Sequence, residues 1–234
     1  VAIASQDSIF GSANSPIPPA PLNTPASVGD LIVINLMVSG SDVGSSPTLS
    51  DQLGNVYTYI ARQYDSADTA YTGLYYSVVT VAGTPTIAAA NYGGQYGAIL
   101  ADRFNGFSPG VITVDAALVT TNSTTTTPWT AGAPVSNYNN ELIVAAFNDF
   151  ANGYIASTNY SSSSWQLEYV VSATAGTTET CSVTIGNTPP NQGVVFAGFY
   201  SAPFPAPVSQ RYKRRGRRRP PGGMVMGMNL KEWF

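Results

Sequence analysis

Short apolar runs rich in Val, Ile, Thr and Tyr recur along the chain, separated by Gly, Pro, Asn and Ser. No 11-residue window spaces its apolar residues at i, i+3, i+4 and i+7, as an amphipathic helix would. The pattern predicts an all-β protein, a sandwich or barrel of short antiparallel strands. Strands are expected at Val1–Ile9, Leu31–Val38, Gly73–Val81, Thr86–Ala90, Gly97–Phe104, Glu141–Phe147, Trp165–Ala173, Thr178–Ile185 and Gly193–Ser201. Leu31–Val38 is apolar at nearly every position, the mark of a strand covered on both faces. Thr48–Arg62 reads as a hairpin around Asp51-Gln52-Leu53-Gly54-Asn55, where Asp favours a turn and Gly tolerates positive φ.

Other stretches read as connections. Ser15–Ala26 carries five prolines (Pro16, Pro18, Pro19, Pro21 and Pro25), which remove donors and fix φ, so 15–26 is expected to be an extended connector. Thr120–Pro128, with six Thr, is an edge strand or an exposed loop. Asn148–Ser164 is polar and reads as a long loop. The sum is nine or ten strands in one domain over 1–206, followed by a separate tail over 207–234. Two pairs of segments echo each other. Gly29-Asp30-Leu31-Ile32-Val33 is similar to Asn140-Glu141-Leu142-Ile143-Val144, and Gly97-Ala98-Ile99-Leu100-Ala101 to Gly193-Val194-Val195-Phe196-Ala197. The echo fits two halves of a double Greek key, and it also fits coincidence in a strand-rich chain.

Composition narrows the chemistry. The 234 residues are 44% hydrophobic and only 10% charged, against roughly a quarter charged in an ordinary globular domain. One Cys and no His exclude a disulfide framework, a Cys/His zinc site and any imidazole base. No apolar run reaches the length of a membrane-spanning helix, and no membrane partner is expected. The first residues lack the charged start and apolar core of a signal peptide, so a leader has been removed or the numbering begins inside a longer product. The net charge of −3 divides sharply. Residues 1–210 hold two bases (Arg62 and Arg103) and twelve acids, a net of −10, whereas residues 211–234 carry +7. An acidic body and a basic tail are two electrostatic objects on one chain.

The order of several pieces is familiar. They are Gly29-Asp30-Leu31-Ile32-Val33, then Ser50-Asp51-Gln52-Leu53-Gly54-Asn55-Val56-Tyr57, Leu74-Tyr75-Tyr76 and Ala101-Asp102-Arg103-Phe104-Asn105-Gly106. Glu141-Leu142-Ile143-Val144 and Tyr169-Val170-Val171-Ser172-Ala173 follow. In this order the body, from Val28 to about Pro203, resembles an uncharacterised β-sandwich domain of secreted bacterial proteins and phage structural proteins. The resemblance implies an antiparallel, two-sheet, jelly-roll-like sandwich in an extracellular or virion setting, and implies no activity. The tail lies outside it.

Candidate chemistry is sparse in the body. Without His, a nucleophilic enzyme would need Lys or a carboxylate as base, and Lys213 and Lys231 both lie in the tail. No enzyme is expected, and no cofactor beyond a structural Ca²⁺, for which Asp42, Asp65 and Asp68 in polar loops are the candidates. Glu141 stands at the entry of a buried strand, while Glu168 and Glu179 alternate with apolar neighbours and read as solvent-facing. Cys181 alternates with Val183 and Ile185 and reads as core. Tyr57 and Tyr59 read as cross-strand packing; Tyr154, Tyr160 and Trp165 flank the polar loop and are the candidate glycan contacts.

The tail is the sharpest feature. Arg211, Lys213, Arg214, Arg215, Arg217, Arg218 and Arg219 put seven bases in nine residues, suited to an acidic protein surface or to nucleic acid. Met224, Met226, Met228, Trp233 and Phe234 follow as a hydrophobic anchor that suits an apolar socket. The expectation is a non-enzymatic structural protein of an extracellular or virion assembly (phage capsid, decoration or tail component), held to neighbouring subunits by this tail. The alternatives are a carbohydrate-binding module and a capsid protein that packages nucleic acid through the arginines.

Overall fold

A computed structural model describes residues 2–14, 16–39, 47–65, 70–93, 96–107, 111–122, 129–148, 154–155, 160–164, 166–185 and 192–202. Among them there is no helix, as the hydrophobic pattern predicts. The first half forms β1 (Ala4–Asn14), β2 (Ala20–Pro21), β3 (Leu31–Ser39), β4 (Thr48–Ser50), β5 (Thr58–Asp65), β6 (Ala70–Val78), β7 (Thr86–Ala90) and β8 (Tyr96–Asn105). The second forms β9 (Val111–Asn122), β10 (Trp129–Gly132), β11 (Glu141–Asn148), β12 (Tyr154–Ile155), β13 (Ser161–Ser164), β14 (Leu167–Ser172), β15 (Cys181–Ile185) and β16 (Gln192–Ala202). The pairings are antiparallel throughout.

The strands build four sheets rather than the expected two. The first half contributes β1-β8-β3-β6-β5 and β2-β7-β4; the second contributes β9-β16-β11-β14-β13 and β10-β15-β12. Adding eight to each strand number of the first half reproduces the second, so the topology is duplicated in tandem. Register agrees. Leu31 faces Phe104 as Leu142 faces Phe199, and Ile32 faces Arg103 as Ile143 faces Gly198. The echoing sequences fall on β3 and β11 and on β8 and β16. The first pair is in register and the second is one residue out.

Burial shows how the layers stack. Leu31, Val33, Leu74 and Phe104 from one five-stranded sheet meet Leu142, Val144, Leu167, Val195 and Phe199 from the other in a shared core. The opposite face of β3 (Ile32, Ile34, Leu36 and Val38) packs with Ile17, Leu22 and Ile87 from the first small sheet and its flanking chain. The opposite face of β11 (Ile143, Ala145 and Phe147) packs with Ala131 and Cys181 from the second. Both central strands are therefore covered on both faces, which their unbroken apolar sequences require. A buried polar tie crosses the shared core. Asn35 donates through Nδ2 to the carbonyls of Phe147 and Gln166, each at 3.0 Å. Thr72 Oγ1 donates to the same Phe147 carbonyl at 2.9 Å.

The small sheets account for most departures from the sequence expectation. The Pro-rich 15–26 stretch is more than a connector: Ile17, Ala20, Leu22 and Ala26 are buried, and β2 pairs with β7 through Ala20 and Pro21. The expected loop 148–164 contains β12 and β13. Thr48–Arg62 is not a hairpin, because β4 pairs with β7 while β5 pairs with β6. The segment between them carries the chain from one sheet to the other. It is knotted by Asp51, whose Oδ1 accepts the backbone N–H groups of Leu53, Gly54 and Asn55 and whose Oδ2 accepts Asn55 Nδ2 and Tyr57 Oη. Burial alone would raise the Asp51 carboxyl, but these donors outweigh it and hold the carboxyl below the usual carboxylate range. Glu168 is buried rather than solvent-facing, since it shares a face with Val170 and that face lies beneath the second small sheet.

Candidate functional site

The seven tail bases, the Met224–Phe234 anchor, Trp165, Asp42 and Asp68 lie outside the described residues. Tyr154 stands in β12 and Asp65 ends β5, a strand position rather than the expected loop; the side chains of both lie outside the described set. Tyr160 is only 6% exposed and packs edge-on against Phe196, with ring centroids 6.5 Å apart. Its hydroxyl donates to the Glu179 carbonyl at 3.3 Å, and burial pushes the phenol above its usual range. A side chain so enclosed cannot offer its face to a sugar, so Tyr160 is withdrawn as a glycan contact. Cys181 is buried in the core, as its alternation implied. Among the described residues no three acids or cysteines gather as metal ligands.

The structure instead brings together two acid sites at matching positions of the two halves. In the first half, Asp30 precedes β3 at the end of a tight turn with Gly29 at φ 92°. Its Oδ2 accepts the Ser27 N–H at 2.9 Å and pairs with Arg103 Nη1 of β8 at 3.1 Å. The Arg103 guanidinium also donates to the Pro25 carbonyl at 2.6 Å and to Thr24 Oγ1 at 2.9 Å. Thr24 in turn donates to Asp7 of β1, through its N–H at 2.8 Å.

In the second half, Glu141 takes the place of Asp30, after Asn140 at φ 56°. Its Oε2 accepts the N–H groups of Asn137 at 2.7 Å and Tyr138 at 3.1 Å. Asp115 of β9 is hydrogen-bonded to the Glu141 side chain and accepts Asn137 Nδ2 at 2.6 Å. Where the first half has Arg103, the second has Gly198, and a Cβ there would run into Glu141 Oε1. A cavity of about 260 Å³ opens at this point, lined by Asp115, Pro134, Glu141, Phe196 and Gly198 among others, with no base among its described lining. Burial is the main cause that raises the Glu141 carboxyl above its usual range, and the neighbouring Asp115 adds to it; the two backbone donors oppose the shift without cancelling it. Tyr138, next to this turn, stacks on Tyr200 with ring centroids 3.5 Å apart and planes 9° from parallel.

A second cavity, about 270 Å³, lies at the β5–β6 edge, lined by Pro47, Tyr59, Arg62, Tyr71, Gly73 and Tyr75. Tyr59 is half exposed and meets Tyr75 edge-on at 5.4 Å, while the Arg62 guanidinium lies 6.0 Å from the Tyr71 ring. Burial, with the Tyr59 phenol adjacent, pushes the Tyr75 phenol up to about 12, partly offset by Arg62. Gly73 forms part of the floor; a Cβ there would press on the Tyr75 ring at 3.0 Å. Sequence reasoning passed over this cleft because its residues come from two strands and the Pro47 turn. The signal that could have found it is the density of tyrosines in 57–76 around one of the body's two arginines. Comparison of the chain with protein-family models, curated proteins and solved structures returned no match.

Proposed function

We propose that the chain is a non-enzymatic structural subunit of an extracellular or virion particle, held to its neighbours by the 207–234 segment. The observation that carries this reading is the duplicated topology. In each half the order β1-β8-β3-β6 with β2-β7-β4 matches the two-sheet strand order of a jelly roll, except that the next strand, β5 or β13, joins the larger sheet. Two jelly-roll-like units packed through a shared core would give a form suited to building a shell or decorating one. The division of charge supports a contact between subunits, since the body carries −10 and the terminal 24 residues +7. Arg211, Lys213, Arg214, Arg215, Arg217, Arg218 and Arg219 would meet an acidic surface, and Met224, Met226, Met228, Trp233 and Phe234 an apolar socket.

Light scattering behind a sizing column, read at 260 and 280 nm, tests this on 1–234 and 1–206. Only the longer chain is expected to form large species, and those are expected to be free of nucleic acid. Nucleic acid in those species would favour packaging through the arginines. Equal assembly by the shorter chain would overturn the anchor.

The aromatic cleft supports a second reading, a carbohydrate-binding module. Tyrosine faces stack on sugar rings, and a guanidinium beside them suits an acidic sugar. In that case Tyr59→Ala would remove glycan binding, and loss of 207–234 would not.

A further inference from the structure

Both halves bring two acids to the same place in the fold and treat them differently. In the first, Asp30 and, through Thr24, Asp7 surround the Arg103 guanidinium. In the second, Asp115 and Glu141 converge beside Gly198, the position that corresponds to Arg103. The chain leading into each site runs Thr24-Pro25-Ala26-Ser27 in one half and Ala133-Pro134-Val135-Ser136 in the other. Each leg is tied by an isolated bridge, Ala26 to Gly83 and Val135 to Thr178. The edge-strand pairing breaks register at the same point in both, between Ser5 and Asp7 and between Ala197 and Phe199. The groups that hold the guanidinium in the first half (Thr24, Pro25 and Asp30) thus have counterparts at the cavity in the second (Ala133, Pro134 and Glu141). The chain carries its own reference for what such a site holds.

We propose that the cavity at Asp115, Glu141 and Gly198 receives an arginine guanidinium from the 211–219 segment of a second copy. This rests on the assembly reading above and names the body's side of that contact. Glu141 Oε2 is engaged by two backbone donors, Oε1 lies beside Gly198, and the Glu141–Asp115 hydrogen bond is the contact an entering guanidinium would replace. Two carboxyl groups in a small recess suit the planar fork of guanidinium better than a spherical ammonium. Gly198 keeps the recess open, and any side chain there would collide with Glu141. Of the sequence's ten bases, seven stand together at 211–219, and the body is acidic.

Two measurements on the full-length chain test the proposal. In the first, Asp115→Asn with Glu141→Gln is compared with a variant in which Arg214, Arg215, Arg217, Arg218 and Arg219 become Gln. Both are expected to lose the large species seen by sedimentation, with the Asn/Gln variant melting no lower than the parent. If the arginine variant loses assembly while the Asn/Gln variant keeps it, the cavity is not the receptor, although the tail remains the anchor. If neither loses it, the anchor reading falls as well.

In the second, the full-length arginine variant, with its cavity free of competing arginines, is titrated calorimetrically with a peptide of residues 211–219. Binding is expected, about tenfold weaker for the same peptide with Lys for Arg, and lost when Asp115→Asn and Glu141→Gln are added. Equal affinity for both peptides, or binding that survives those two changes, would overturn the site.

Discussion

The two halves share a topology and differ in how they settle their charges. In the first, Asp30 and Arg103 form an ion pair whose partners are each about 10% exposed, and the leg from Ser27 reaches Asp30 directly. In the second, the leg from Ser136 to Glu141 is two residues longer, the arginine is a glycine, and a cavity stands in place of the guanidinium. What both halves keep is hydrophobic register. Leu31 and Leu142 sit in the same shared core, and a positive-φ residue precedes the acid in each. The comparison teaches that apolar alternation specifies the duplicated fold, while the ionisable positions are free to diverge. One copy is closed by its own base, and the other is left open.

The hardest way to break the comparison is to open the first half as well. Arg103→Met would leave Asp30 buried without its counter-charge and would strip donors from the Pro25 carbonyl and Thr24. Removing one partner of a buried pair costs about 3–5 kcal/mol. Urea unfolding monitored by circular dichroism is expected to show a loss of that order, with the midpoint moving and little change in slope. A loss under about 1 kcal/mol, the range of exposed pairs, would mean that the first half does not depend on its base and that the contrast between the halves is superficial.

A smaller effect is expected where the halves join. Asn35 is fully buried and donates to two carbonyls of the second half. Asn35→Ala would take one donor from each carbonyl, leaving the Phe147 carbonyl to Thr72 Oγ1 and the Gln166 carbonyl to the Phe147 N–H. Each hydrogen bond lost costs about 0.5–1.5 kcal/mol. If the tie coordinates the halves, thermal unfolding of the variant is expected to separate into two transitions. A single unshifted transition would show that the apolar shared core alone couples them.

Much of this architecture was legible in the sequence, for identifiable reasons. Strands of five residues or more with a single strong pattern, such as Leu31–Ser39, Thr86–Ala90 and Glu141–Asn148, fall where alternation or continuous apolarity put them. Strands of two to four residues do not. Ala20–Pro21, Thr48–Ser50, Tyr154–Ile155 and Ser161–Ser164 are too short to show a period; the first three belong to the small sheets that cover a larger sheet's outer face, and the last extends the edge of the second large sheet. The same coverage explains Glu168, which local alternation turned toward water. The duplication was visible only as two five-residue echoes, the one at Gly29 and Asn140 in register and the one at Gly97 and Gly193 one residue out, because strand pairing, not identity, carries the rest. The acid site was half visible. Glu141 stood out at a strand entry, but Asp115 lies in a separate strand and joins it only through β16, between them in the sheet.

The finest test of the comparison is acidity. Burial raises the Glu141 carboxyl above its usual range, with Asp115 adding to the shift, so the folded chain holds that proton more tightly than the unfolded chain does. The sign follows from linkage. The favourable contribution is complete below the unfolded carboxyl value and is lost as pH rises through the higher folded value, where Glu141 ionises in its buried site. Asp51 acts in the opposite sense: its carboxyl is lowered, so its contribution is present above the ordinary aspartate range and fades as pH falls through the folded value. Glu141→Gln can keep the bond to Asp115, by donating from the amide, and can still accept the Asn137 and Tyr138 N–H groups. Unfolding free energies measured from below the ordinary glutamate range up to neutrality should therefore decline less with rising pH in this variant than in the parent. At neutral pH the variant should be the more stable of the two, by an amount smaller than either loss above. Parallel curves would mean that Glu141 and Asp115 do not repel in the folded chain, and the second half would then be as well settled electrostatically as the first.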